Sequence, residues 1–341
     1  MDYYILANPH AGHGHGQQVT DKLTAYLTQQ KITYHLFNTH QPLDEHRLMT
    51  DILAQKTNND RIIIIGGDGT ISLAVNALPA DQAFSYIPAG SGNDFARGLD
   101  VSLQDTIETF DNIHKSTPQT IYVLKYESES LSGVATNNFG IGLDAAIVEA
   151  ANQSLAKGLL NTLKLGQLAY LASTLKIILF KKPFQVTVND VTFAKTFLFT
   201  LTKHPFFGGG VPLAPDANLM NADIHLVEVD RFHLLGIFAL IPKVLKAKHL
   251  AHKHVHHMVD QAFELEIDSD QPVQIDGEVH QLKAHQILRI TTEKRTILKQ
   301  SLVFSFNLDS SCVRVHQFCH HRQQIRLLQK SNLEFYKVSC A

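Results

Sequence analysis

The 341 residues, 44% apolar and 18% charged, suffice for the cores of about two globular domains and lack the bias of a disordered or fibrous chain. A formal net charge of -2 excludes global attraction to nucleic acid, so an anionic ligand must be met by a local arrangement of groups. Three cysteines, Cys312, Cys319 and Cys340, are too few for a disulfide framework and suit a reducing cytosol.

In chain order, YYILANP reads as a strand. GQQVTDKLTAYLTQQ follows as a helix with Val19, Leu23, Tyr26 and Leu27 on one face, and ITYHLFNT as the next strand. DEHRLMTDILAQ is a second helix and RIIIIGG a buried strand. Ile71, Ala74, Val75 and Leu78 mark a third helix, FSYIPAG a fourth strand, and SLQDTIETFDNI a helix with Leu103, Ile107 and Phe110 inward. Such alternation predicts a parallel sheet covered by helices on both faces. From about residue 121 the pattern changes to strands at TIYVLKYES, FQVTVNDVTFAKTFLFTL, ADIHLVEVD, FELEIDS, PVQIDGEV and ILRITT. Helical stretches are expected at about 155–181 and 232–250. The fold class is therefore α/β plus mainly β: an N-terminal Rossmann-like, parallel-sheet domain and a C-terminal antiparallel, β-sandwich-like domain. The apolar run at 165–180 is broken by Lys176 and too short to span a bilayer. The opening MDYYILANPH has neither a basic leader nor an apolar h-region, so no signal peptide is expected.

Chemistry concentrates in three turns. A buried parallel strand that ends in glycines and opens a helix delivers backbone N–H groups to one point, which favours an anion. GGDGT at 66–70 has that form, without the lysine of a Walker A loop. Phosphate charge would then fall to amides, hydroxyls and a metal, for which Asp68 offers a hard oxygen ligand; the same aspartate also suits a turn-capping role. PAGSGNDFARG at 88–98 repeats the chemistry one strand later, with Ser91 offering a hydroxyl and Asn93 and Asp94 at a helix start. NPHAGHGHG at 8–16 leaves the first strand towards the same edge, where open α/β sheets bind ligands.

Together, NPHAG, GGDGTIS and PAGSGNDFAR resemble the diacylglycerol kinase catalytic domain, and more closely the bacterial soluble diacylglycerol and lipid kinase group with its sphingosine-kinase-like members. The resemblance continues through NNFGIGLDA, LKLGQLAYL, FFGGGVPLAPDA and IDGEV, over roughly residues 1–300. It implies that Asn8 and Gly66, Gly67, Asp68, Gly69, Thr70, Ile71 and Ser72 bind ATP phosphates, with Asp68 tied to the nucleotide Mg2+. Ser91, Asn93 and Thr39 match nucleotide-contacting positions. Glu278 of IDGE matches the family's base, and Asp68 and Asp94 stand beside it as catalytic carboxylates. From the residues alone, Glu278 is equally a hairpin carboxylate after the turn-forming Asp-Gly pair.

The chain departs from the pattern at PDANLMNADIHL, where Asn221 and Ala222 replace an expected Asp-Gly. Asn218, Asn221 and Asp223 are left at the positions of a structural Mg2+, and a neutral amide is a weaker ligand for that ion than a carboxylate. KVLKAKHLAHKHVHHM reads as a solvated helix face or as a basic patch for anionic lipid. CVRVHQFCHH fits no standard zinc finger.

The resemblance thus implies an ATP- and Mg2+-dependent kinase acting on a primary hydroxyl of diacylglycerol or a related lipid. The alternatives are a kinase of NAD or another soluble alcohol, and a non-catalytic nucleotide- or lipid-binding relative. Residues 1–125, completed by about 296–320, are expected to bind ATP. Residues 126–295 are expected to carry the lipid side and the base, leaving 321–341 as a tail of unassigned role. The expected setting is cytoplasmic, with transient peripheral association with the inner face of the membrane, no nucleic-acid partner, and a homodimer allowed.

Overall fold

The computed structural model of the chain describes residues 1–101, 105–156 and 176–299. Most of the helix expected at 155–181, Leu103 of the SLQDTIETFDNI helix and the cysteine-bearing tail lie outside the described residues.

The first half runs β1 (Tyr3–Ala7), α1 (Ala11–Gln29), β2 (Tyr34–Asn38), α2 (Asp44–Gln55), β3 (Arg61–Gly66), α3 (Asp68–Ala77), β4 (Phe84–Pro88), α4 (Asp94–Gly98) and α5 (Thr106–His114). The four strands are parallel in the order β2-β1-β3-β4, so the strand order reverses between β1 and β3. The four isoleucines of β3 show why an unbroken apolar strand is stable here. Successive side chains point to opposite faces. Ile62 and Ile64 join Leu48, Met49, Ile52, Ile71 and Val75 from α2 and α3. Ile63 and Ile65 join Val19, Leu23, Leu27, Phe110 and Ile113 from α1 and α5. With helices on both faces, neither has room for a polar residue.

The second half runs β5 (Thr117–Glu127), β6 (Ser132–Ala135), β7 (Asn138–Gly142), α6 (Leu143–Ala156), β8 (Phe184–Val188), β9 (Val191–Thr202), β10 (Phe206–Phe207) and β11 (Val211–Pro212). It continues through β12 (Ile224–Asp230), α7 (Leu234–Leu245), β13 (Val255–Asp260), β14 (Phe263–Ile267), β15 (Gln271–Ile275), β16 (Glu278–Leu282) and β17 (Leu288–Lys299). Its strands pair antiparallel and, through β17, join the parallel set in one mixed sheet of 15 strands among the described residues; β10 and β11 form a separate ribbon. Alternation is clean in β14, where Phe263, Leu265 and Ile267 enter the core while Glu264 and Glu266 stay outside. β17 pairs with β5 from Arg289 to Lys299 and meets β4 in parallel at Ile297 and Phe84.

Three local differences from the sequence reading have physical causes. FQVTVNDVTFAKTFLFTL is two strands, because Asn189 and Asp190 both take positive φ (45° and 69°) and close a hairpin. An unpredicted helix, α6, opens straight after β7 in the alanine-rich LDAAIVEAANQSLA. The helix expected at 232–250 ends at Leu245, Ala247 being left-handed (φ 54°), and the histidine run beyond it feeds β13 rather than a helix face.

Candidate active site

The three glycine-containing turns meet above the carboxyl ends of β1, β3 and β4. Close backbone approach requires glycine at two positions, Gly90 and Gly12. A Cβ on Gly90 would lie 2.5 Å from the Gly67 Cα, and one on Gly12 would lie 2.4 Å from the Ala89 carbonyl oxygen. Gly66 packs on the Thr70 side chain, where a Cβ would come within 2.5 Å. Thr70 is in turn held by Asn8, whose Nδ2 donates to Thr70 Oγ1 at 3.0 Å. The α3 N-terminus therefore emerges at a surface lined by main chain, with Gly69 exposed and open in front of it.

Asp68 caps a helix, though not its own: Oδ1 accepts from the Phe95 N–H at 3.1 Å and closes the start of α4. Asn93 is left-handed (φ 53°) and clamps the second turn, accepting from Gly90 N–H and donating to Gly90 O, both at 2.8 Å. Asp94 is buried and accepts from Gly209 N–H at 2.8 Å, tying this turn to the 208–210 loop. Burial raises the Asp94 pKa, opposed by the Gly209 bond and reinforced by the charge of Asp68. Ser91 is exposed at the tip, and Thr39 is buried after β2 with its N–H on Ala7 O at 2.9 Å.

Glu278 comes to this edge from the second half. It opens β16 and lines one cleft with Gly69, Ser72, Leu73 and Asn76 of α3 and with Tyr126, Ile275, Asp276 and His280. The Asp276-Gly277 turn that presents it has φ of 50° and 92°, as a tight two-residue hairpin requires. The Asp276 carboxylate accepts from Thr136 N–H (2.6 Å), Thr136 Oγ1 (2.9 Å), Asn137 N–H (2.9 Å) and Asn138 N–H (2.9 Å). It also meets the Ser72 hydroxyl. Glu45 of α2 is buried nearby. Burial raises its pKa, as do the charges of Asp44 and Glu278, with a backbone hydrogen bond opposing.

Two polar networks escaped the sequence reading. Behind the hairpin, Gln274 Nε2 donates to Asp144 Oδ2 at 2.9 Å and to Asn138 Oδ1, while its Oε1 accepts from Gly277 N–H at 2.8 Å. Burial pushes the Asp144 pKa up to about 7 against its bonds to Gln274 and Thr200. The second network bears on the positions expected to hold a structural Mg2+. There, Lys203 is fully buried and its ammonium donates to the carbonyl oxygens of Asn218 (3.3 Å), Asn221 (2.9 Å) and Asp223. Asn218 Oδ1 and Asn221 Oδ1 accept from Met220 N–H and Asp223 N–H. The residues do not fit a metal here: a cation of the chain already fills the carbonyl ring, and both amide oxygens are committed to turns. The loop so held seats Leu219 in the first-half core, its carbonyl accepting from Tyr122 N–H at 2.8 Å. Asn218, Asn221 and Asp223 thus form a loop closed by Lys203.

With that geometry in place, relatives are informative. Residues 2–126 match the model of the diacylglycerol kinase catalytic domain, and residues 138–289 that of the YegS C-terminal NAD kinase beta sandwich-like domain. A Bacillus subtilis (strain 168) protein named "Putative lipid kinase YtlR" is 30% identical over 72% of this chain and 83% of its own length. The chain belongs to the diacylglycerol kinase catalytic-domain family. A "Diacylglycerol kinase" of the same organism is 25% identical over 64% of this chain and 71% of its own length. A crystal structure described as a "putative diacylglycerol kinase from Bacillus anthracis str. Sterne" superposes with a TM-score of 0.64 at 21% identity, covering 89% of this chain and 98% of that one. Membership in this family of lipid kinases makes the protein a phosphotransferase that uses a nucleotide donor.

Two measurements check the networks. Lys203→Met leaves three carbonyl acceptors without their donor and is expected to cost on the order of 2–3 kcal/mol in urea unfolding. Asp144 binds its proton more tightly folded than unfolded. Its contribution is therefore present below the unfolded pKa and lost as pH rises through about 7. Asp144→Asn removes that loss, so its Tm relative to wild type is expected to rise between pH 5 and pH 8.

Proposed function

We propose that the protein transfers the γ-phosphate of ATP to the primary hydroxyl of diacylglycerol or a related lipid, with Glu278 as the general base. The observation that carries this reading is that Glu278 lines the same cleft as Gly69 and Ser72 of the α3 N-terminus. In this reading residues 1–125, with the returning chain after about 296, bind ATP, and residues 126–295 supply the base and the lipid side. The amides at the start of α3 and the Thr70 hydroxyl fixed by Asn8 receive phosphate oxygens, with Ser91 and Thr39 at the rim of the nucleotide site. Asp68 spends only Oδ1 on α4, so Oδ2 would hold the nucleotide Mg2+, whose chemistry is to neutralise phosphate charge. Asn93 and Asp94 act by fixing the second turn and the 208–210 loop. Glu278 takes the hydroxyl proton as the acceptor oxygen attacks phosphorus; phosphoryl transfer needs little more than positioning and this one base.

A lipid acceptor also needs a route from the bilayer. Among the described residues no helix is long and apolar enough to cross a membrane. Instead α7 exposes Leu235 (81%), Ile241 (45%) and Leu245 (61%), and Phe180 is 74% exposed on the adjoining 176–180 stretch. Ile178 of that stretch packs with Ile237 of α7, so the exposed side chains share one region, near Lys181, Lys182, Lys243 and Lys246. An amphipathic helix with flanking lysines suits shallow insertion into an anionic leaflet, as transient peripheral association at the inner membrane face requires.

Incubation with labelled ATP, Mg2+ and mixed lipids tests the chemistry. Label is expected in the organic phase with wild type, and at least about 100-fold less with Glu278→Ala or Asp68→Ala. Label in a soluble product, or ATP binding without transfer, would refute the lipid reading. For docking, the Leu235→Glu, Leu245→Glu double variant is expected to stop co-sedimenting with anionic vesicles while keeping turnover of a short-chain, soluble acceptor.

A further inference from the structure

The inner face of β12 begins apolar, with Ile224 and Leu226 in the second-half core, and ends in Glu228 and Asp230. Strand pairing sets Glu228 directly opposite His256 of β13, and strand alternation puts Asp230 on the same face. His256 Nε2 lies 3.4 Å from Asp230 Oδ2 and 3.8 Å from Glu228 Oε2, and one ligand atom from each residue falls within 4.8 Å of the others. Four-coordinate metal–ligand distances of about 2.1 Å place ligand atoms roughly 3.4 Å apart, close to these separations.

Glu228 points to an occupant. It is fully buried, and neither carboxylate oxygen has a partner at ordinary hydrogen-bond geometry among the described residues; the Thr196 hydroxyl beside it offers only a weak contact that opposes the effect of burial. A buried carboxylate with so little donor support is costly, and the only imidazole facing it among the described residues, His256, is half-exposed and shared with Asp230. We propose that Glu228, Asp230 and His256 bind a divalent cation of Zn2+ type, separate from the phosphotransfer cleft. Mixed imidazole and carboxylate ligation selects borderline metals over Mg2+. His254, whose Nδ1 lies 3.4 Å from Asp230 Oδ2 and whose ring stacks on Phe232, stands next to the open side of the set. Among the described residues β13 pairs with β12 alone, so the ion would fasten an edge strand to the sheet.

The chain has 20 histidines, so weak surface binding must be separated from this site. The chelator-treated full chain is titrated with Zn2+ by calorimetry and with Co2+ by visible absorption. One tight equivalent, a concentration-dependent rise in Tm and a low-symmetry Co2+ spectrum are expected. Glu228→Gln and the half-exposed His256→Ala should each weaken that equivalent at least about ten-fold. His285→Ala, an exposed histidine paired with Glu266, should leave it unchanged. Absence of a tight equivalent in wild type overturns the proposal, as does unchanged affinity in His256→Ala with a wild-type circular dichroism spectrum.

Discussion

The carboxylate of Asp276 is the constraint on which the rest of the cleft depends. Four donors from 136–138 converge on it, and the Ser72 hydroxyl reaches it from α3. One side chain thereby fixes the hairpin carrying Glu278, the connection between β6 and β7, and the helix whose N-terminus faces the cleft. Burial raises its pKa and the donors oppose that rise. Charge-assisted hydrogen bonds of this kind are stronger than neutral ones and, at a two-residue turn, hold direction as well as distance.

Much of the first half was legible because its signals are local. The both-face burial of Ile62 to Ile65 follows from an unbroken apolar strand between helical stripes, and the glycine turns follow strands in an order that topology sends to one edge. The Asp-Gly pair before Glu278 announced its hairpin. What stayed hidden was long-range. Asp276 finds donors about 140 residues away, Gln274 finds Asp144 at 130, and Lys203 closes a loop 15 to 20 residues on. A single sequence states no distances between such residues. Gln274 and Lys203 carry no local signal, and Asn218 and Asn221 read as weakened metal ligands because their ammonium partner lies outside their motif.

Acids gather near the turns: the pKa values of Asp94 and Glu45 are raised mainly by burial and further by the charges of Asp68 on the one, and of Asp44 and Glu278 on the other. A triphosphate would add to that charge. Backbone amides contribute only partial charges, so a nucleotide in such a place needs its accompanying cation more than it would beside a lysine. The chain uses a buried lysine at 203 instead, to hold a loop against the first-half core.

β17 carries a further consequence, for the order of events at the ribosome. It joins the antiparallel strands to β4, yet it is the last strand of the described chain to be synthesised. Until it arrives, the β4 side of the parallel sheet is an open edge, and β5 lacks a partner that pairs with all eleven of its residues. Pairings this distant in sequence form slowly and leave strand edges bare meanwhile. A nascent chain stalled before residue 288 therefore presents a sticky, incomplete sheet, and a chaperone that shields β4 and β5 would act on the most vulnerable stage of its biogenesis.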